Sequence, residues 1–147
     1  MTLIIENSKG VKRSEVVVGN TITLPKPKPG EGYKVSSETP LANGTYLKDY
    51  IVAEPPTKPV TFSFMPSKVV GTVSTIRANW KATSSFERFS IKVTPVRGKA
   101  FLINTNKPFA LINLPQGMKY TITVTAIGYG SLKSKLLTKV ISVPKRR

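Results

Sequence analysis

The sequence predicts an all-β protein in which a seven-stranded antiparallel sandwich follows a small, mostly-β N-terminal segment. In the C-terminal part, apolar and polar residues alternate with a period of two, as in the run from Phe89 to Val93. This alternation is typical of strands with one buried and one solvated face. Turn-forming residues separate the runs at short intervals. No stretch keeps a 3.6-residue apolar period, which argues against a long helix.

A proline-rich stretch divides the chain. Three of the five residues 55–59 are prolines, and proline fits neither a central strand nor a helix interior. A short, stiff, extended linker is therefore predicted at 55–59. It separates a small β segment, residues 1–54, from the sandwich with its basic C-terminal tail, residues 60–147.

The N-terminal segment contains short strand candidates and few large apolar side chains. Strands are predicted at Leu3–Glu6, Val16–Val18, Thr21–Leu24, Gly32–Ser36 and Tyr46–Ala53, with turns at Gly19-Asn20 and Asn43-Gly44. So little apolar surface makes a marginal core. We therefore expect this segment to depend on a partner or on the sandwich for its stability.

The C-terminal part supplies about seven strand candidates. They are Val60–Met65, the run ending at Trp80, Phe89–Val93, Phe101–Asn104, Phe109–Leu114, Tyr120–Ala126 and Leu136–Val143. Seven short strands in roughly 90 residues are expected of an immunoglobulin-like sandwich.

The motifs on these strands resemble those of a known family. Ile76-x-Ala78-x-Trp80 is followed by Phe89-x-Ile91-x-Val93-Thr94-Pro95 and then by Leu111-x-x-Leu114-Pro115-x-Gly117-x-x-Tyr120. Residues 59–144 resemble a fibronectin type III domain. The resemblance implies that Trp80 and Leu114 are structural residues, with Trp80 at the core centre, and that Tyr120 is the corner tyrosine. Arg97-Gly98-Lys99 has no acid, so integrin binding is not implied.

Charge is distributed unevenly along the chain, whose net charge is +16. Residues 1–57 hold seven basic and six acidic residues, whereas residues 58–147 hold sixteen basic residues and a single acid, Glu87. This asymmetry predicts a polyanionic contact for the sandwich. The candidate residues are Arg77, Lys92, Lys119, Lys133, Lys135, Lys139, Lys145, Arg146 and Arg147. Solubility and protection of sheet edges remain an alternative for each lysine taken singly.

The sequence gives little support for a catalytic function. The chain has neither cysteine nor histidine, which removes disulfides, thiolate metal sites and the usual proton shuttle near neutral pH. No phosphate loop, nucleophile elbow or metal-spaced cluster is present. We therefore predict no enzyme, no metal and no cofactor. Tyr129 is the main exposed candidate for stacking on a nucleobase, and an ordinary hairpin-loop tyrosine is the favoured interpretation.

The functional hypothesis is a bacteriophage virion protein. The N-terminus shows no secretory signal and no apolar run reaches membrane-spanning length, so no membrane contact is expected. Modules resembling fibronectin type III domains occur in phage virion proteins that leave the host by lysis. The resemblance thus implies a capsid decoration or neck or tail accessory protein, located in the virion and docked through residues 1–54. The alternative is a stand-alone module that binds a polyanion, either nucleic acid or acidic glycan.

Overall fold

The computed structural model describes residues 2–19, 23–37 and 49–145. Eleven strands lie within these ranges: β1 Thr2–Asn7, β2 Lys12–Val16, β3 Gly32–Ser37, β4 Tyr50–Ala53, β5 Val60–Val70, β6 Val73–Lys81, β7 Arg88–Pro95, β8 Phe101–Thr105, β9 Phe109–Pro115, β10 Met118–Ile127 and β11 Leu137–Val143. The predicted features at Asn20, Thr21–Ile22, Asn43-Gly44, Tyr46–Lys48 and Arg146-Arg147 lie outside the described residues.

The first four strands form the N-terminal unit. They build one antiparallel sheet in the order β2-β1-β3-β4. One face buries Leu3, Ile5, Val17 and Val35, against which Leu24 and Tyr33 pack. Among the described residues this core has only these four buried side chains, and all of them except Val17 come from alternate residues of β1 and β3. The core is thus small, as the few large apolar side chains of this segment predict.

The predicted position of the second strand in this unit, Val16–Val18, is wrong. The structure places β2 at Lys12–Val16, so Val17 and Val18 follow the strand, and Thr23 and Leu24 lie in no strand. Val17 is buried in the small core. β2 is instead held by pairing with β1, in which Lys12 lies opposite Glu6. Backbone pairing of five residues with β1 thus makes a strand of a segment with low local β-propensity.

The remaining seven strands form a two-layer sandwich. One sheet has the order β5-β6-β9 and the other β11-β10-β7-β8. Alternate residues point inward, so that Phe89, Ile91 and Val93 of β7 are fully buried. From the other layer, Ile112 and Leu114 pack into the same core. The predicted all-β class and seven-stranded sandwich are confirmed.

Strand β5 is longer than predicted. It runs from Val60 to Val70, with register shifts in its pairing to β6 between Val60 and Ser63 and between Pro66 and Lys68. Thr61 adopts a positive φ of 58° at the first shift. Bulges of this kind at sheet edges locally disrupt the ladder and increase twist. The strand continues past the predicted end at Met65 and accommodates Pro66 because β5 is an edge strand.

Candidate binding surfaces

The residues assigned structural roles lie in the sandwich core. Trp80 is 5% exposed and packs edge-on against Phe89, with ring centroids 5.3 Å apart. Leu114 is fully buried. The Tyr120 hydroxyl donates a hydrogen bond to the carbonyl oxygen of Pro115, and burial raises the pKa of Tyr120. These side chains therefore hold the sandwich together and offer no surface for binding.

Arg77 lies at the centre of the solvent face of the β5-β6-β9 sheet. Its direct cross-strand neighbours are Met65 and Leu111, which are 59% and 57% exposed. The guanidinium lies 4.1 Å from the ring centroid of Phe109, and its Nε donates to Asn79 Oδ1 at 2.9 Å. A cation stacked on an aromatic ring and flanked by exposed apolar side chains makes this face amphipathic.

Lys92 and Lys119 lie on the other sheet. Lys92 is opposite Thr123 on one side and Leu102 on the other, and Lys119 is opposite Ser142. Since the two sheets face solvent in opposite directions, Arg77 is not brought together with these lysines. The positive charge surrounds the sandwich instead of forming one patch.

The three lysines Lys133, Lys135 and Lys139 do not all lie on the last strand. Strand β11 begins at Leu137, so Lys133 and Lys135 precede it. Lys139 is on the strand, and its Nζ lies 3.3 Å from the carbonyl oxygen of Phe62 on β5 and 5.6 Å from the Phe64 ring. The Lys139 side chain therefore bridges β11 and β5, the adjacent edge strands of the two sheets. Lys145 is exposed after β11.

A tight junction joins the N-terminal unit to the sandwich. Gly30 adopts a φ of +83°, and a Cβ added there would lie 1.6 Å from the carbonyl oxygen of Ser85. The Tyr129 amide donates to the Gly30 carbonyl at 3.2 Å, and Ser85 Oγ donates to Glu31 Oε1 at 3.1 Å. Glycine is needed at Gly30 because the two backbones approach too closely for any side chain.

The proline-rich linker is part of this junction. Pro56 and Pro59 are buried, and a Cβ added at Gly128 would lie 2.8 Å from Pro56. The Thr57 amide donates to Ser84 Oγ at 2.9 Å, and the hydroxyls of Thr57 and Thr83 lie 2.5 Å apart. The linker is therefore fastened to the sandwich along its length.

Tyr129 is not exposed as a base-stacking residue would be, and it lies in the turn between β10 and β11, in line with the favoured loop interpretation. It is half-buried in a short 3₁₀ turn, Tyr129–Ser131, and a Cβ added at Gly32 would lie 2.6 Å from its Cδ1. Burial also raises the pKa of Tyr129. Its ring fills the junction, so it is not free to stack on a nucleobase. Glycine neighbours suggest an exposed loop, but here they permit close packing.

The N-terminal sheet leaves two edges unpaired within the described residues, namely β2 and β4. Val16 next to the β2 edge is 76% exposed, and Tyr50 on β4 is also exposed. Lys34 Nζ forms an ion pair with Asp49 Oδ2 at 2.9 Å, and this hydrogen bond raises the pKa of Lys34. Unpaired strand edges are ready sites for pairing with another chain.

The architecture matches solved structures, although no family model and no curated protein matches the sequence. A two-domain fibronectin type III segment of chicken tenascin superposes with a TM-score of 0.58 at 15% identity, covering 97% of this chain and 83% of its own. The fibronectin domains 1–3 of chicken CNTN1 give 0.54 at 19% identity, covering 98% and 56%. A myokine structure gives 0.50 at 15% identity, covering 61% and 99%.

The sandwich has a fibronectin type III fold.

The fibronectin type III superposition on tenascin extends through both units, because it covers 97% of this chain. The superposed part therefore includes the N-terminal unit, whose described residues form a four-stranded sheet. In the part of the chain that the structure describes, no group of histidine, cysteine and acidic residues could hold a metal ion. No helix there is long and apolar enough to span a bilayer.

Proposed function

We propose that this chain is a non-enzymatic structural and binding protein of a bacteriophage virion, serving as a capsid decoration or neck or tail accessory. The N-terminal unit docks on the particle, and the cationic fibronectin type III unit extends from it. The observation that carries the proposal is the difference in net charge between two units that pack closely against each other. Residues 1–57 are nearly neutral, with seven basic and six acidic residues, whereas residues 58–147 carry sixteen basic residues and one acid.

The N-terminal unit suits docking by strand addition. Its β4 edge is unpaired within the described residues and presents Tyr50 and Ile51, each about half exposed. An exposed edge adds a partner strand through main-chain hydrogen bonds, with neighbouring side chains supplying specificity. The near-neutral charge of this unit permits such contact without long-range repulsion. The virion assignment itself is made by analogy with the fibronectin type III modules that phage virion proteins carry.

A second candidate, binding of a nucleic acid or an acidic glycan by the sandwich alone, is favoured by its surface charge. The predicted cations within the described residues are all exposed, and Glu87 is the only acid in residues 58–147. The occupied ring of Phe109 and the half-buried Tyr129 favour charge-driven binding over base stacking. Such binding has no preference for sequence.

Co-sedimentation with virions assembled without the protein separates the two functions. The full-length protein is compared with Tyr50→Asp on the β4 edge and with a sandwich variant in which Lys92, Lys119 and Lys133 are glutamine. Under the virion proposal, Tyr50→Asp loses particle binding, the glutamine variant retains it, and binding survives moderate salt. Under the alternative, only the glutamine variant weakens, duplex DNA competes, and the affinity falls steeply with salt.

A further inference from the structure

Strand β2 is an edge of the N-terminal sheet as far as the described residues go, and its charge order is unusual. Within the described residues it pairs only with β1. Its sequence is Lys12-Arg13-Ser14-Glu15-Val16, with no proline and no bulge. Its flank is apolar and solvated, since Val16 and Val18 are 76% and 94% exposed. Natural sheet edges are usually protected from pairing, and the protection that the residues of β2 themselves offer is a set of charges of both signs.

These charges complement one another when the strand is paired with a second copy of itself. A twofold axis perpendicular to the sheet keeps each face continuous with the same face of the partner, so opposed residue numbers must add to an even sum. With the axis at Ser14, Arg13 of each copy lies opposite Glu15 of the other. With the axis at Arg13 or at Glu15, two like charges meet.

The same register also joins apolar residues. Arg13 and Glu15 lie on the face of the buried Ile5 and Leu3, their partners on β1. In a pair centred on Ser14, Val11 of one copy, which is 62% exposed, comes opposite Val17 of the other. A groove of about 250 Å³, lined by Val11, Arg13 and Tyr33 among others, lies beside this edge. Each small core is thereby extended toward that of its neighbour.

The net charges favour contact at this edge. Two sandwiches of about +15 each repel, whereas the N-terminal units are nearly neutral. The junction is made by residues preceding and within β3 and β4, such as Gly30 and Gly32. β2 lies at the opposite end of the sheet from β4, roughly 14 Å away at about 4.8 Å per strand. Pairing at β2 therefore holds the two cationic units apart.

We propose that β2 is a self-association edge, which pairs antiparallel with β2 of a second copy of this chain around a twofold axis at Ser14. The two four-stranded sheets become one continuous eight-stranded sheet. Arg13–Glu15 pairs form twice across the interface. This inference goes beyond the virion proposal and does not depend on it, because purified protein alone suffices to test it.

Cysteine crosslinking tests the register. The chain contains no cysteine, so Ser14→Cys introduces the only thiol. Directly opposed residues in an antiparallel pair have Cα atoms about 4.5–5.5 Å apart, a separation that a disulfide spans. Under mild oxidation, Ser14→Cys is expected to give a crosslinked dimer. Lys12→Cys alone is not, since the two copies of position 12 lie roughly 14 Å apart, four residues at about 3.4 Å. A mixture of Lys12→Cys and Val16→Cys crosslinks.

Charge reversal tests the energetics by sedimentation equilibrium. Arg13→Glu or Glu15→Arg alone replaces both attractive pairs with repulsive ones, so we expect a dimer dissociation constant raised about tenfold or more. The double variant with both changes restores association. Arg97→Glu in a sandwich turn changes the net charge by the same amount as Arg13→Glu and does not weaken the dimer.

Three results would overturn the inference: a wild-type protein that stays monomeric at millimolar concentration, equal crosslinking of Ser14→Cys and Lys12→Cys, or a double variant no better than its single parents. Circular dichroism spectra of every variant establish that the N-terminal sheet is still folded. Because virions are not used, failure here leaves the particle-docking proposal unaffected.

Discussion

At the scale of single residues, Gly30 controls how the two units meet. Its positive φ and its contact with the Ser85 backbone impose two separate requirements, backbone freedom and empty space. Gly19 offers a natural comparison, because its φ is +92° and nothing lies within 4 Å of an added Cβ. The two glycines therefore share the first requirement and differ in the second.

We predict that Gly30→Ala opens the junction and that Gly19→Ala does not. Both changes introduce backbone strain of about 1–2 kcal/mol, but only the first forces Ser85 away. Exchange of the Tyr129 amide hydrogen, which is bonded to the Gly30 carbonyl, should accelerate about tenfold or more in Gly30→Ala. Equal exchange rates in the two variants would show that close packing at Gly30 is unimportant. The measurement is hydrogen exchange followed by nuclear magnetic resonance.

Sequence reasoning reached the core residues and missed the junction. Trp80 and Leu114 stand in a clear alternation, and period-two alternation reports burial directly. The contact between Gly30 and Ser85 joins residues 55 positions apart, and no local pattern encodes such a long-range approach. The outward direction of Arg77 could be read from the same alternation, but its stacking on Phe109 depends on the pairing of β6 with β9.

At the scale of elements, β5 shows how a long exposed edge is kept from pairing. It has eleven residues, with Met65, Val69 and Val70 exposed. Pro66 lacks an amide hydrogen, and the register shift after it disrupts the ladder. Lys68, opposite Thr75 on the solvent face, adds a charge next to the shift. Proline, bulge and lysine together are recognised protections against edge-to-edge aggregation.

Replacing the proline and the lysine, in Pro66→Val with Lys68→Val, should make the protein aggregate. The changes supply an amide at position 66 and remove the charge, so that this part of the edge can pair with another chain. We expect a clear rise in light scattering on gentle heating. Pro55→Val with Lys58→Val, which alters an exposed proline and an exposed lysine of the linker, is the matched control. Identical scattering from both variants would argue that the β5 edge needs no protection.

Strands in which apolar and polar residues alternate were predicted well. Strands that depend on pairing with a neighbouring strand were not. Strands β7 and β10 follow the predicted runs closely because their inward residues form the sandwich core. β2 was misplaced because Lys12-Arg13-Ser14-Glu15 lacks β-branched side chains, and only its pairing with β1 makes it a strand. Sheet order, which separates Arg77 from Lys92, is likewise set by tertiary pairing.

At the scale of the whole molecule, the net charge of +16 dominates the electrostatics. The three described ion pairs, Arg13–Glu15, Lys26–Glu54 and Lys34–Asp49, all lie within the first 54 residues. The sandwich therefore has cations with almost no compensating acid. Histidine is absent, so the side chain that ordinarily changes charge near neutral pH contributes nothing to this balance.

We predict that salt stabilises the protein markedly. Screening of the repulsion among the sandwich cations lowers the free energy of the compact state. Raising NaCl from about 0.05 to about 0.5 M should increase the melting temperature by roughly 4 °C or more, corresponding to about 1 kcal/mol. The variant with glutamine at Lys92, Lys119 and Lys133 should show a smaller increase. Differential scanning calorimetry provides the measurement, and a melting temperature independent of salt would contradict the prediction.

The glycine-lined junction has a mechanical consequence. Its contacts are mostly backbone to backbone or between short hydroxyl side chains, such as Gly30 with Ser85 and Thr57 with Thr83. Short groups of this kind have few rotamers through which to yield, so we expect the junction to be rigid. The two units should tumble with one rotational correlation time. A force applied to the sandwich would then be transmitted to the N-terminal sheet as a torque, and the protein would act as a lever arm.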